Sequence, residues 1–132
     1  MVMKKPKRSE VSAFLRGYLD TALFTTDTSP PSGQDYVESG RADEMWPRLK
    51  LDFILQAQQD CKKFIEKNAD LLIRAGDPWQ NGSDFWYTRN GHGSGFWDRG
   101  YPKEISKPLT KAAHEFGESD LMPEDIGQKG KR

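Results

Sequence analysis

The run from Asp84 to Gly100, Asp-Phe-Trp-Tyr-Thr-Arg-Asn-Gly-His-Gly-Ser-Gly-Phe-Trp-Asp-Arg-Gly, constrains this chain more than any other stretch. It places five aromatic residues, four glycines and two arginines in seventeen positions. Phe85–Arg89 and Ser94–Asp98 are aromatic-rich and suit strands. Asn90-Gly91-His92-Gly93 lies between them, and Asn and Gly tolerate the positive φ that hairpin turns demand. Alternate strand residues face opposite ways. Phe85, Tyr87 and Arg89 then share one face of the ribbon, and Trp86 and Thr88 the other. Bulky rings on both faces require a cover on each side, or leave a sticky surface.

The remainder of the chain supplies helices to pack on such a ribbon. Ser9 reads as an N-cap, and Val11, Phe14, Leu15, Tyr18, Leu19, Ala22 and Leu23 follow at helical spacing. Gly17 in that helix marks close packing. Thr26–Met45 is a long acidic connection broken at Ser29-Pro30-Pro31-Ser32-Gly33. A long helix starts near Trp46, with Pro47 in its first turn. Its stripe is Trp46, Leu49, Phe53, Ile54, Ala57, Cys61, Phe64 and Ile65, Asn68 is an end or a kink, and Gly76 is the stop. Asp77–Ser83 is turn-rich and leads into the hairpin. A third helix over Ser106–Phe116 carries Ile105, Leu109, Ala112, Ala113 and Phe116 on one stripe, with Pro108 in the first turn.

The expected fold is therefore a single α+β domain. Three helices pack on a short antiparallel β-hairpin, and Ser119–Met122 is a candidate third strand. Residues 1–8 read as a flexible basic arm, 9–122 as the domain and 123–132 as a flexible C-terminal tail. A length of 132 residues suits one core.

Twenty basic and twenty acidic residues balance. Global charge thus points to neither nucleic acid nor a membrane. The one cysteine, Cys61, falls on an apolar helix face and reads as a small buried hydrophobe. There is no apolar run of membrane-spanning length and no signal-peptide pattern, so a reducing cytoplasm is expected.

Asp84-Phe85-Trp86, Thr88-Arg89-Asn90-Gly91-His92-Gly93 and Gly95-Phe96-Trp97-Asp98-Arg99 resemble the signature of a small family of accessory proteins from tailed bacteriophages and prophages. Phe14–Leu23 resembles that family's opening helix. Ala112-Ala113, Phe116-Gly117-Glu118 and Asp120-Leu121 resemble its closing helix and strand. The hairpin signature is the specific part. The resemblance implies a phage product made in the cytoplasm of the infected host cell and brings no reaction with it. Family members end in a further aromatic strand, where this chain has Met122-Pro123-Glu124-Asp125-Ile126-Gly127 and a basic end.

Three chemistries are open to these residues. Catalysis of hydrolase type would use His92 as base, Asp98 to orient it and Arg89 or Arg99 to hold an anion. Asn-Gly-His-Gly is neither a Walker loop nor a dinucleotide fingerprint, and one Cys with two distant His gives no metal-ligand spacing. No cofactor or metal is expected, and no catalytic residue is assigned. Nucleic-acid binding would stack bases on Trp86, Tyr87 and Trp97, with Arg89 and Arg99 on phosphates. Protein binding needs only an exposed patch of Trp, Tyr and Arg, the types that dominate interface hot spots. The expectation is a binder or inhibitor of a host protein, with nucleic acid as the alternative partner. Its binding residues are Trp86, Tyr87, Arg89, Asn90, His92, Trp97, Asp98 and Arg99.

Overall fold

The computed structural model describes residues 4–27 and 36–119, and among them there are five α-helices and no strand. The helices are α1 (Ala13–Thr26), α2 (Arg41–Met45), α3 (Leu51–Ala75), α4 (Pro78–Arg89) and α5 (Lys103–Glu115). Short 3-10 turns cover Arg8–Glu10, Trp46–Arg48 and Phe96–Asp98. The expected α+β fold on a β-hairpin is thus overturned. Phe85–Arg89 is the second half of α4, and Ser94–Asp98 is a loop ending in a 3-10 turn. Of the expected third strand only Ser119 is described, and the C-terminal tail, 123–132, lies outside the described residues.

Local chemistry explains why 84–89 is helical. Asp77 caps α4 by accepting a hydrogen bond from Trp79 N at 3.0 Å, and Pro78 occupies the first turn. At the other end Gly91 takes φ +70°. His92 N donates to Tyr87 O at 3.0 Å and Gly91 N to Thr88 O at 3.2 Å. This is the left-handed C-cap that closes many helices. Asn90-Gly91 therefore supplies a helix stop, using the same tolerance of positive φ that a hairpin turn would use.

Helix α4 lies in the middle of the fold, buried on several sides. Its closest neighbour is α1. A Cβ built on Gly17 of α1 would collide with the Trp79 carbonyl, and one on Gly82 of α4 with the Phe14 carbonyl. Each helix thus presents a glycine to the other's backbone. One turn further along α1, the Thr21 hydroxyl donates to the Ser83 hydroxyl at 2.6 Å across the same seam.

The core gathers aromatic rings from α1, α3 and α4, from Phe116 at the C-cap of α5, and from the 96–98 turn. Phe64 of α3 stacks on Phe85 of α4 at 4.1 Å between centroids, with Phe14, Tyr18, Phe96 and Phe116 around them. The expected stripes of the other helices face this core. Phe53, Ile54, Ala57, Cys61 and Phe64 are buried on α3, and Ile105, Leu109 and Ala113 on α5. Burial pushes the Cys61 thiol well above its usual range. Helix α3 starts at Leu51 and not near Trp46, because Leu49 and Lys50 are extended. It kinks at Asn68, whose side-chain amide donates to Phe64 O at 2.9 Å. Helix α5 starts at Lys103, which places Pro108 inside it rather than in its first turn.

Candidate functional site

The eight residues expected to bind a partner fall into two groups. Trp86, Arg89, Asn90 and Asp98 build the scaffold. Trp86 is 3 % exposed, and its indole N–H donates to Thr25 Oγ1 at 3.0 Å. Arg89 is buried under the rings of Phe85 and Phe116. It donates to Asp60 Oδ2 at 2.8 Å, the Tyr18 hydroxyl at 3.1 Å, and the carbonyls of Gly117 and Phe116 at 2.8 and 3.2 Å. One guanidinium thereby ties α4 to α1, to α3 and to the end of α5. Asn90 accepts from Ser119 N at 2.7 Å and donates to Trp86 O at 3.0 Å. Asp98 Oδ1 accepts from Gly95 N at 3.1 Å and so closes its own turn. Thr88 Oγ1 accepts from Phe96 N at 3.2 Å, and a Cβ on Gly95 would strike that hydroxyl.

Tyr87, His92, Trp97 and Arg99 reach solvent. The Tyr87 and His92 rings meet edge to face at 5.7 Å. No hydrogen bond links His92 to Asp98 among the described residues, so the base–orienter pair is not assembled. The described residues also hold no cluster of His, Cys, Asp and Glu that could bind a metal ion.

Two concave surfaces use members of this second group. The smaller, about 470 Å³, lies between Trp97 and the outer face of α5. Trp97 is 53 % exposed, one of two large apolar side chains in the described residues that are open to solvent. Lys107, Thr110, Lys111 and His114 face it from α5, at the spacing that puts residues on one helical face. Neither lysine has a carboxylate partner among the described ion pairs. The Thr110 hydroxyl is buried without a hydrogen-bond partner.

The larger surface is a cleft of about 920 Å³ along the α1–α4 seam. Arg16, Asp20, Thr21 and Phe24 line it from α1, and Trp79, Gln80, Ser83 and Tyr87 from α4. Arg8, the 36–38 segment and Arg99 complete the walls. Asp20 is 1 % exposed and sits on the floor. Arg8 donates to both its oxygens at 2.8 and 2.6 Å, and the Trp79 indole N–H donates at 2.9 Å. Beside the cleft, Asp84 Oδ1 accepts from Arg99 Nε at 2.8 Å and from Gln80 Nε2 at 3.1 Å, while Asp84 Oδ2 is buried without a partner. Burial pushes the Asp84 carboxyl up, against the opposing pull of Arg99.

The N-terminal basic segment contributes as well. Lys5 donates to Trp46 O and Pro47 O at 3.2 and 2.8 Å, and Trp46 donates back to Pro6 O at 3.1 Å. Arg8, Arg16, Trp79, Lys107 and Lys111 were not singled out as site residues by the sequence alone, because nothing local separates a cleft arginine from a solvated one.

No helix among the described residues is long and apolar enough to cross a membrane. Compared with family models, curated proteins and solved structures, the chain matches none.

Proposed function

We propose that this chain is a small phage accessory protein that acts in the host cytoplasm by binding a host protein, with Trp97 at the centre of the contact. The phage origin and the compartment rest on the residue signature described above. The contact rests on one observation: Trp97 keeps half its surface in water while the neighbouring signature rings, Phe85, Trp86 and Phe96, are packed in the core. Leaving an indole exposed forgoes roughly 25 cal/mol for each Å² of apolar surface left in water. A tryptophan in a concave setting is a typical anchor of a protein interface. Lys107 and Lys111 outnumber the one acid on that surface, Glu115, and so favour an acidic partner surface.

The test compares affinity capture from host lysate, with and without nuclease, for wild type, Trp97→Ala and Lys107→Glu/Lys111→Glu. The captured protein is then titrated against each. Trp97→Ala is expected to weaken binding about 30-fold or more, the effect of losing a hot spot of about 2 kcal/mol. Circular dichroism should not change. Unchanged partners in both variants would remove Trp97 from the interface. The lysines beside a ring also suit a single nucleic-acid strand. Nuclease-sensitive capture, with direct oligonucleotide binding that weakens steeply as salt rises, would establish that second reading instead.

A further inference from the structure

We infer that the α1–α4 cleft is a second, separate site that binds a small aromatic molecule carrying one anionic group. Its size falls within the range of small-molecule pockets. Its apolar walls are mostly rings: Trp79 and Tyr87 from α4, Phe24 from α1, and Tyr36 opposite. Aromatic walls favour a planar guest by edge and face contacts.

The charge follows from the pairing of the ionic groups. Arg8 is neutralised by Asp20, and Arg99 by Asp84. Arg16 is different. It is half-buried, its Nε and Nη2 donate to the carbonyls of Arg8 and Val11 at 3.1 and 2.7 Å, and it has no carboxylate partner among the described residues. Those two bonds fix its guanidinium plane and leave Nη1 unengaged. The one acid lining the cleft besides Asp20 is Glu38, which is exposed at the rim. A held guanidinium with a spare donor and no counter-charge is suited to a carboxylate, sulfonate or phosphate oxygen. The nearby Thr21–Ser83 hydroxyl pair adds polar contact on the floor.

The experiment follows the indole N–H resonance of Trp79 in nitrogen-15 spectra of the full chain, assigned with Trp79→Phe. Indoleacetate, neutral indole and anilinonaphthalene sulfonate are titrated in turn. Both anions are expected to shift the Trp79 resonance to saturation and to leave that of Trp97 in place. Indole should bind about tenfold more weakly than indoleacetate, the scale of one charge-assisted hydrogen bond. Arg16→Gln should bring indoleacetate down to the affinity of indole. Equal affinity of indole and indoleacetate for wild type overturns the inference without needing any variant. So does the absence of a saturable shift, or a response at Trp97 alone. Failure here leaves the Trp97 interface untouched, because that site is read out by partner capture.

Discussion

At the scale of single residues, Arg89 and Asp84 show how much of the signature is structural. Arg89 is 5 % exposed and its partner Asp60 14 %. Removing one member of a buried pair strands the other, which costs about 3–5 kcal/mol. Arg89→Ala should lose that much in urea unfolding, and Arg89→Lys should recover little, since an ammonium cannot serve a carboxylate, a hydroxyl and two carbonyls in the same fork. Asp84 makes the opposite kind of prediction. Its carboxyl is raised above the ordinary value of 3.8 because it is buried. The folded state therefore holds the proton more tightly than the unfolded chain. That contribution is fully present below 3.8 and is lost as pH rises through the raised folded value. Asp84→Asn cannot titrate. As pH falls from neutral toward 3.8, wild type should gain stability relative to Asp84→Asn. Paired urea midpoints across pH measure this, and a gap of the reverse slope would mean that the Arg99 attraction outweighs burial.

At the scale of the elements, the α1–α4 seam explains why the chain packs as helices despite its strand-like aromatics. Gly17 and Gly82 let the two backbones approach until side-chain hydroxyls, Thr21 and Ser83, can meet between them. Ordinary propensity says that alanine stabilises a helix over glycine by about 1 kcal/mol. Here the sign should reverse. Gly82→Ala drives a methyl into the Phe14 carbonyl, so a net loss of about 2 kcal/mol or more is expected in thermal or urea unfolding. Gly93→Ala is the control, since nothing lies within 4 Å of its added Cβ. It should change stability by no more than about 0.5 kcal/mol. A neutral Gly82→Ala would mean that the helices are not in backbone contact.

At the scale of the whole molecule, the legible and illegible parts divide by burial. Helices α3 and α5 each bury one stripe, and α1, although buried over almost all of Phe14–Leu23, carries its large apolar residues at helical spacing, so periodicity located all three to within about five residues. Helix α4 buries Asn81, Gly82, Ser83, Asp84, Phe85, Trp86, Thr88 and Arg89 in near-continuous sequence. A helix covered on most sides has no polar face to reveal its period, and its rings then read as strand. The local signal for a helix there is Asp77-Pro78, an N-cap followed by proline, but the same pair reads equally well as a turn, and from sequence it is read as one. Of the site, Tyr87, Trp97 and Arg99 were visible as residue types, whereas Arg16 and the α5 lysines needed the fold to bring them to a surface. The central position of α4 has a dynamic consequence. Its polar side chains bind a different neighbour at nearly every step: Asn81 to Leu72 O of α3, Ser83 to α1, Asp84 to Arg99, Thr88 to the 96–98 turn, and Arg89 to three elements at once. Because these ties run to several sides at once, α4 should open only when the whole domain unfolds. In native-state hydrogen exchange the amides of residues 82–89 should be among the slowest, with free energies matching global unfolding. Those of 91–93, in and just after the exposed C-cap turn, should exchange through small local fluctuations. Exchange in 82–89 that precedes α1 would show that this segment is held by local structure alone, as a peripheral ribbon would be, and not by the packing described above.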